Sequence, residues 1–224
     1  MARESDTITQ AHKACLDGAD TITTVIATHN KGKLQEFRQA LGSNWQVQTQ
    51  ADLGISEAVE SGATFIENAL IKARHAFQHT QGIVLADDSG LVVPALGGKP
   101  GLLSARYSGG DDEANNLLLL KNMQQLLGID RAAFYITVLV LLRAADDPSP
   151  LIAEGRWHGT IATEARGRQG FGYDPLFYLP EFKMTAAELT EEQKNSVSHR
   201  GKALLAFKQE LSKITADLNC ETLK

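Results

Sequence analysis

The stretch Val84-Leu85-Ala86-Asp87-Asp88-Ser89-Gly90-Leu91-Val92-Val93 is the one around which the rest of this chain is organised. It places an acidic pair between two apolar runs, and the pattern predicts a strand at residues 83–86 and another beginning at residues 91–93. A turn between them would bring two carboxylates to the end of a strand. Because neighbouring strand side chains point to opposite faces, we expect Asp87 and Asp88 to differ in role, one facing a cleft and one satisfying the turn. Taken alone, the stretch is equally compatible with a tight turn that has no chemical role.

Strand-like and helix-like segments alternate along the chain, which is typical of an α/β domain. We predict strands at residues 21–27, 45–50, 132–143, 151–163 and 176–178, and helices at residues 34–41, 65–79, 112–127 and 202–218. The leucine run at residues 117–120 is expected to be buried on most sides, and Leu205 to lie on the buried side of the last helix. The predicted hairpin of residues 132–163 is long enough to form a second lobe.

An acidic and otherwise ordinary composition limits the classes of function. The net charge of -5 argues against a broad basic surface for a nucleic-acid polymer, but it leaves room for a bound nucleotide. Two cysteines, Cys15 and Cys220, give neither a disulfide framework nor a metal-ligand spacing, so we expect a reducing cytoplasm. No apolar run reaches the roughly 18 residues of a membrane span, and no signal peptide is evident. Residues 1–20 are polar and predicted to be a poorly ordered extension, followed by a single domain at residues 21–224.

The stretch Thr28-His29-Asn30-Lys31-Gly32-Lys33 joins the first strand to the first helix. Backbone N–H groups at a helix N-terminus attract anions, and two lysines add positive charge there. The stretch therefore predicts a cradle for a triphosphate, with a capped helix and solvated lysines as the alternative. It is not a Walker A loop, because the G-x-x-x-x-G-K-[ST] pattern does not occur in the chain.

Two further stretches leave alternatives open. Thr64 and Glu67 have the spacing of a capping box, so Glu67 is either the partner of that box or a carboxylate directed at a metal near Asp88. In the glycine-rich stretch at residues 167–175, Phe171 and Tyr173 either stack on a base or pack in the core. Ser198 is the predicted N-cap of the last helix, so His199 and Arg200 fall in its first turn. Cations at a helix N-terminus oppose the helix dipole, which favours a bound anion or another acceptor there.

Taken together, six motifs closely resemble the inosine/xanthosine triphosphate pyrophosphatase family, in its order and spacing, over about residues 22 to 215. The motifs are residues 28–33, Thr64-Phe65-Ile66-Glu67-Asn68-Ala69, Ala86-Asp87-Asp88-Ser89-Gly90-Leu91, Pro100-Gly101 with Ser104-Ala105-Arg106-Tyr107-Ser108-Gly109, Phe171-Gly172-Tyr173-Asp174-Pro175 and Ser198-His199-Arg200-Gly201. The resemblance implies an elongated mixed β-sheet flanked by helices, with two lobes and a central active-site cleft. It also implies a homodimer, a requirement for Mg²⁺, and hydrolysis of deaminated purine nucleoside triphosphates (ITP, dITP and XTP) to the monophosphate and pyrophosphate.

The resemblance also assigns roles to individual residues. Asp88 matches the catalytic acidic position, as a Mg²⁺ ligand and as the base that orients the attacking water, with Glu60 and Glu67 as candidates for the rest of the metal site. The expected contacts of the phosphates are Thr28, His29, Asn30, Lys31, Gly32 and Lys33, and those of the rest of the substrate are Ser89 and Lys194. The expected contacts of the base are Phe171, Gly172, Tyr173, Asp174, His199 and Arg200.

Base selection follows from hydrogen-bond chemistry at position 6 of the purine. N–H donors of His199 and Arg200 can bond the carbonyl of inosine or xanthosine. The amino group of adenine would leave those donors unpaired, at about 1–3 kcal/mol per buried group. Two alternatives stay open: a Maf-like nucleotide pyrophosphatase with another base preference, and a nucleotide-binding regulator without catalysis.

Overall fold

The computed structural model of the chain describes residues 22–28, 31–41, 45–80 and 82–221. The predicted extension at residues 1–20 and the two cradle residues His29 and Asn30 lie outside these ranges. The strands are β1 Ile22–Ala27, β2 Trp45–Thr49, β3 Ile83–Val92, β4 Ala132–Leu142, β5 Leu151–Ile161, β6 Phe177–Leu179 and β7 Met184–Thr185. The α-helices are α1 Lys31–Leu41, α2 Phe65–Phe77, α3 Asp112–Asn122, α4 Glu191–Val197 and α5 His199–Glu221.

The seven strands form one mixed sheet in the order β2-β1-β3-β4-β5-β6-β7. Strand β1 is parallel to both β2 and β3, whereas β6 is antiparallel to β5 and to β7. The predicted α/β fold with a mixed sheet is therefore confirmed. In the parallel pair β1–β3, Ala27 lies opposite Ala86, so the segment leading to α1 begins at the level of the acidic pair.

The chain divides into two compact units, each with its own core. The first contains residues up to Asp88, Val138–Glu154 and residues from Ala203 onward, and the second contains Ser89–Thr137 and Gly155–Lys202. Fully buried side chains in the first core include Ile26, Phe37, Leu85, Leu139 and Phe207, and those of the second include Leu91, Leu119, Trp157, Leu176 and Phe177. The sequence analysis expected the hairpin of residues 132–163 to be long enough for a second lobe. The hairpin does not form a separate unit, because each unit includes part of both β4 and β5.

The predicted turn at the acidic pair is wrong, because β3 runs without interruption through Asp-Asp-Ser-Gly. Its residues are buried or half-buried throughout, so the strand is covered on both faces. Carboxylates remain inside such a strand only when cations neutralise them. Lys33 and Lys72 do so here, at 2.8 Å from Asp87 and 2.9 Å from Asp88.

Helix α3 ends at Asn122, five residues before the predicted end. The buried guanidinium of Arg131 donates hydrogen bonds to the carbonyls of Met123 and Leu126 at 2.9 and 3.1 Å, which satisfies acceptors in the turn that follows the helix. The leucine run is not buried on most sides, since Leu119 is in the core while Leu117 is 62% exposed. A helix that packs on one side only leaves the opposite side in water.

Helix α5 begins at His199, three residues before the predicted range. The predicted N-cap is confirmed, because the Ser198 hydroxyl accepts a hydrogen bond from the N–H of Gly201 at 3.1 Å. Leu204 and Phe207 are buried, but Leu205 is 59% exposed, so its predicted place on the buried side is wrong. His199 and Arg200 lie in the first turn of α5, as the predicted Ser198 cap implies.

Candidate active site

The two carboxylates of the acidic pair have different cationic partners. The Oδ2 atom of Asp87 is 2.8 Å from the ammonium of Lys33, and the Asp87 side chain is fully buried. The Oδ1 atom of Asp88 accepts a hydrogen bond from the ammonium of Lys72 at 2.9 Å. The two carboxylates pair with different lysines, and the turn role expected for one of them is wrong because β3 is continuous.

Lys72 connects Asp88 to a second carboxylate, that of Glu60. Its ammonium is 3.1 Å from Oε1 of Glu60 and 2.9 Å from Oδ1 of Asp88, so both carboxylates meet at one cation. Lys72 was not predicted as a site residue. A signal was present, because Lys72 stands three residues after Ala69 and four before Ala76, both buried, and a lysine on the buried side of a helix requires a partner.

Burial and neighbouring charges shift the pKa values of Asp88 and Lys72 in opposite directions. Burial raises the pKa of Asp88 above its ordinary value, and the charge of Lys72 opposes that rise. For Lys72, burial alone would lower the pKa, but the negative charges of Asp87, Asp88 and Glu60 outweigh it and raise the pKa. A carboxylate whose pKa is raised accepts a proton more readily than an ordinary one, which suits a general base.

Glu67 takes part in capping the start of α2, but its side chain bonds Ala63 and not the N–H of the N-cap residue Thr64 as in the predicted capping box. Its Oε2 atom accepts hydrogen bonds from the N–H of Ala63 at 2.7 Å and from the hydroxyl of Thr64 at 3.2 Å. The Thr64 hydroxyl in turn accepts from the N–H of Glu67 at 3.2 Å. Of the two interpretations that the sequence left open for Glu67, the structure displays the capping one.

The donor types of Asp88 and Glu60 fit Mg²⁺, because oxygen is the donor that this ion prefers. In this structure their carboxylate oxygens both bond the ammonium of Lys72, which lies between them. Among the described residues, no group of three or more His, Cys, Asp or Glu side chains could enclose a metal by itself. Mg²⁺ typically uses one or two protein carboxylates and takes its remaining ligands from phosphates and water.

The described part of the predicted phosphate cradle consists of Thr28, Gly32, Lys33 and the backbone of Lys31. Thr28 is half-buried after β1, and α1 begins at Lys31, so the cradle does lie between a strand and a helix N-terminus. The side chain of Lys33 is only 15% exposed and bonds Asp87, which contradicts the alternative of a solvated lysine at this position. The remaining cradle residues, His29 and Asn30, are outside the described ranges.

In the second unit, a buried ion pair supports the loop that carries Phe171. The Oδ2 atom of Asp174 accepts hydrogen bonds from the ammonium of Lys194 at 2.6 Å and from the N–H of Phe171 at 2.9 Å. The Lys194 ammonium also lies 4.9 Å from the centre of the Phe171 ring, a cation–π distance. Burial raises the pKa of Asp174, and Lys194 opposes this rise.

The two aromatic residues of this loop have different environments. Tyr173 is buried, and its hydroxyl donates to the carbonyl of Ser104 at 2.8 Å, so it packs in the core. Phe171 is 36% exposed and keeps part of its ring accessible. Tyr173 therefore packs in the core, whereas the ring of Phe171 is accessible for stacking.

His199 and Arg200, at the start of α5, are both buried in the second unit. The His199 ring stacks on Tyr135, with ring centres 4.7 Å apart and 10° between planes, next to Trp157 at 6.3 Å. Arg200 donates to the hydroxyl of Ser89 at 3.4 Å, and burial lowers its pKa to about 10. Sequence reasoning did not find Tyr135, because nothing in the pattern of β4 distinguishes it from other core aromatics.

Comparison with known proteins identifies the family. The family model described as the Ham1 family matches residues 24–210. The chain belongs to the Ham1 family. Among its relatives, a dITP/XTP pyrophosphatase of Thioalkalivibrio sulfidiphilus is 52% identical over 183 residues, 80% of this chain and 93% of that protein. A dITP/XTP pyrophosphatase of Pseudomonas aeruginosa is 48% identical over 188 residues, 84% of this chain and 95% of that protein.

Solved structures of Ham1 proteins share the fold. A HAM1 protein from Coxiella burnetii is 40% identical, with a TM-score of 0.79 over 87% of this chain and 99% of that one. A nucleoside-triphosphatase / dITP/XTP pyrophosphatase from Mycobacterium abscessus is 44% identical, with a TM-score of 0.69 over 83% of this chain and 98% of that one. These matches confirm the resemblance that the six motifs indicated. Within the described residues, no helix is both long and apolar enough to cross a membrane.

Proposed function

We propose that this Ham1 chain is a hydrolase that converts deaminated purine nucleoside triphosphates (dITP, ITP and XTP) to the monophosphate and pyrophosphate. The observation that carries the proposal is the convergence of Asp88 and Glu60 on Lys72, which provides a buried base and a charged surrounding for phosphates. Membership of the Ham1 family, with relatives named dITP/XTP pyrophosphatase, supports the same reaction.

In the proposed reaction, a water oxygen attacks the α-phosphorus. Asp88 accepts the water proton, the new P–O bond forms, and the bond between the α-phosphorus and the bridging oxygen breaks, so that pyrophosphate leaves with that oxygen. The raised pKa of Asp88 favours proton acceptance. Lys72 and Lys33, both largely buried, place positive charge in the same cluster and favour the negative charge that builds up on the phosphates.

Mg²⁺ is the cofactor that the donor set suits, with Asp88 and Glu60 as protein ligands. When bound, a divalent cation neutralises charge on the phosphate oxygens. Glu67 stays a candidate ligand from the sequence, although its Oε2 atom already accepts hydrogen bonds from Ala63 and Thr64. We assign the triphosphate to Thr28, His29, Asn30, Lys31, Gly32 and Lys33.

We assign the base to the second cluster. Phe171 offers a partly exposed ring, and stacking on an aromatic ring contributes about 1–3 kcal/mol per base. His199 and Arg200 supply N–H donors that match a carbonyl at position 6 and leave the amino group of adenine unmatched. Gly172 and Asp174 keep the predicted role of base contacts, and Ser89 and Lys194 that of substrate contacts, whereas the side chain of Tyr173 packs in the core.

The alternatives differ in their chemistry. A Maf-like pyrophosphatase would share the acidic cluster but not the base preference, and a regulator without catalysis would have no use for a buried base such as Asp88. We further propose that the chain works as a homodimer in the cytoplasm, as the resemblance and the cysteine count imply. Neither feature is needed for the reaction itself.

The deciding experiment is pyrophosphate release in the presence of Mg²⁺, comparing dITP, ITP and XTP with dATP, GTP and TTP. Fast release from the first three alone is the expected result. Release from all six would keep the reaction and refute the assigned role of His199 and Arg200. No release from any, with nucleotides still raising the melting temperature, would favour the regulator.

A further inference from the structure

The side chains of Asp112 and Asn116 in α3 form hydrogen bonds with the backbone N–H and carbonyl of Gly172. The Oδ2 atom of Asp112 accepts a hydrogen bond from the N–H of Gly172 at 2.7 Å. The Nδ2 atom of Asn116, one helical turn later, donates to the carbonyl of Gly172 at 2.9 Å. Sixty residues of sequence separate Asp112 from Gly172, so this is a specific tertiary contact between a helix and the residue next to Phe171.

The orientation of the Asn116 amide follows from its surroundings. Its Nδ2 atom faces two carbonyl oxygens, that of Gly172 and that of Asp112, both at 2.9 Å. Only the nitrogen end of an amide can bond two acceptors, so the reverse orientation would put three oxygens together. The same helix turn thus provides an acceptor for the N–H of Gly172 and a donor for its carbonyl.

Gly172 is not held in place by close packing, since a Cβ atom at this position would have no neighbour within 4 Å. Gly172 has a φ of +62°, a conformation that glycine adopts readily and other residues seldom do. On this side, the loop and the start of α3 line a cavity of about 400 Å³. The loop is therefore held here by directional bonds to Asp112 and Asn116, while the Asp174–Lys194 pair holds its other end.

We propose that Asp112 and Asn116 are positioning residues for base binding, which hold Gly172 so that the adjacent Phe171 ring stays in place to stack on the purine. This inference rests on the proposed function and names residues that the sequence motifs did not include. Neither side chain has a part in the proton transfer or in the charge balance of the phosphates. Their effect is on substrate binding and base selection, and not on the chemical step.

The test compares Asp112→Ala, Asp112→Asn and Glu113→Ala in the full-length chain. Glu113 is the matched control, because it is also an exposed acidic residue in the first turn of α3 and lines the same cavity. We expect Asp112→Ala to raise the KM for dITP about tenfold, equal to about 1.4 kcal/mol, with kcat nearly unchanged. Asp112→Asn keeps an oxygen acceptor and should restore most of the affinity, while Glu113→Ala should resemble the wild type.

A second readout does not depend on activity. Hydrogen exchange at the Gly172 amide should accelerate at least about tenfold in Asp112→Ala and stay unchanged in Glu113→Ala. Equal KM values and equal exchange in these two variants would overturn the inference, as would a loss confined to kcat. If the wild type released no pyrophosphate from dITP, the proposed function and the role in base binding would both fail. The exchange rates would then decide separately whether Asp112 holds the loop.

Discussion

Replacing Asp88 by Asn tests the central assignment, because it removes one charge and keeps the shape of the side chain. The Asn Oδ1 atom can still accept the hydrogen bond from Lys72, which the carboxylate accepts at 2.9 Å. Lys72 also keeps Glu60 at 3.1 Å, so its ammonium does not become an unpaired buried charge. Burial disfavours the charged form of Asp88, and this gain on neutralisation offsets the lost attraction to Lys72.

The free energy of unfolding of Asp88→Asn should therefore stay within about 1 kcal/mol of the wild type, or about 2–4 °C in melting temperature. Turnover of dITP should fall on the order of 10²–10⁴-fold, the usual contribution of a general base. The assays are pyrophosphate release and urea unfolding, with Asp146→Asn in an exposed turn as the control. More than about a tenth of the wild-type kcat would refute the assignment. A loss of about 3 kcal/mol in stability would mean that the carboxylate is structural.

Three further predictions concern the residues around the two clusters. Glu60→Gln should raise the Mg²⁺ concentration needed for half-maximal turnover, whereas Glu67→Gln should leave both this concentration and the stability nearly unchanged, because its amide oxygen can still accept the N–H of Ala63; the reverse result in a Mg²⁺ titration would make Glu67 the ligand. Lys194→Met should destabilise the protein by on the order of 3 kcal/mol at neutral pH, because it leaves Asp174 buried without its cation. Burial already raises the folded-state pKa of Asp174 above its ordinary 3.8. The loss of stability in Lys194→Met should therefore shrink as the pH falls through this raised pKa, because the protonated carboxyl needs no cation. A loss that does not depend on pH in urea unfolding would contradict the pairing. Arg200→Ala should reduce kcat/KM for ITP far more than stability, because burying the guanidinium already disfavours its charge; equal losses in both assays would make Arg200 structural.

Local features of this fold were predictable because they depend on residues close in sequence. The Thr64 cap of α2 and the Ser198 cap of α5 each join residues three apart, and both are present as expected. Local periodicity also predicts the order of β1 to β6 and of the four longer helices, but the short strand β7 and the short helix α4 were missed. The continuous β3 was missed because Asp, Ser and Gly are frequent turn residues, and the lysines that neutralise Asp87 and Asp88 lie far away in the sequence.

The site was predictable only in part, because its geometry depends on residues far apart in sequence. The motifs named Asp88, Phe171 and Arg200 as candidates, but they did not name Lys72, the shared partner of Asp88 and Glu60. The stacking of Tyr135 on His199 joins a strand to a helix 64 positions later. No sequence period records such a contact, and it becomes visible only when the fold brings the two rings together.

The cluster around Lys72 makes one ammonium the common partner of two carboxylates, those of Asp88 and Glu60. A divalent cation that bound both carboxylates would compete with Lys72 for the same oxygens. A change at Lys72 therefore reaches the proposed base and the proposed metal ligands at once. Sequences optimised for heat resistance should be checked for metal affinity whenever they alter this lysine.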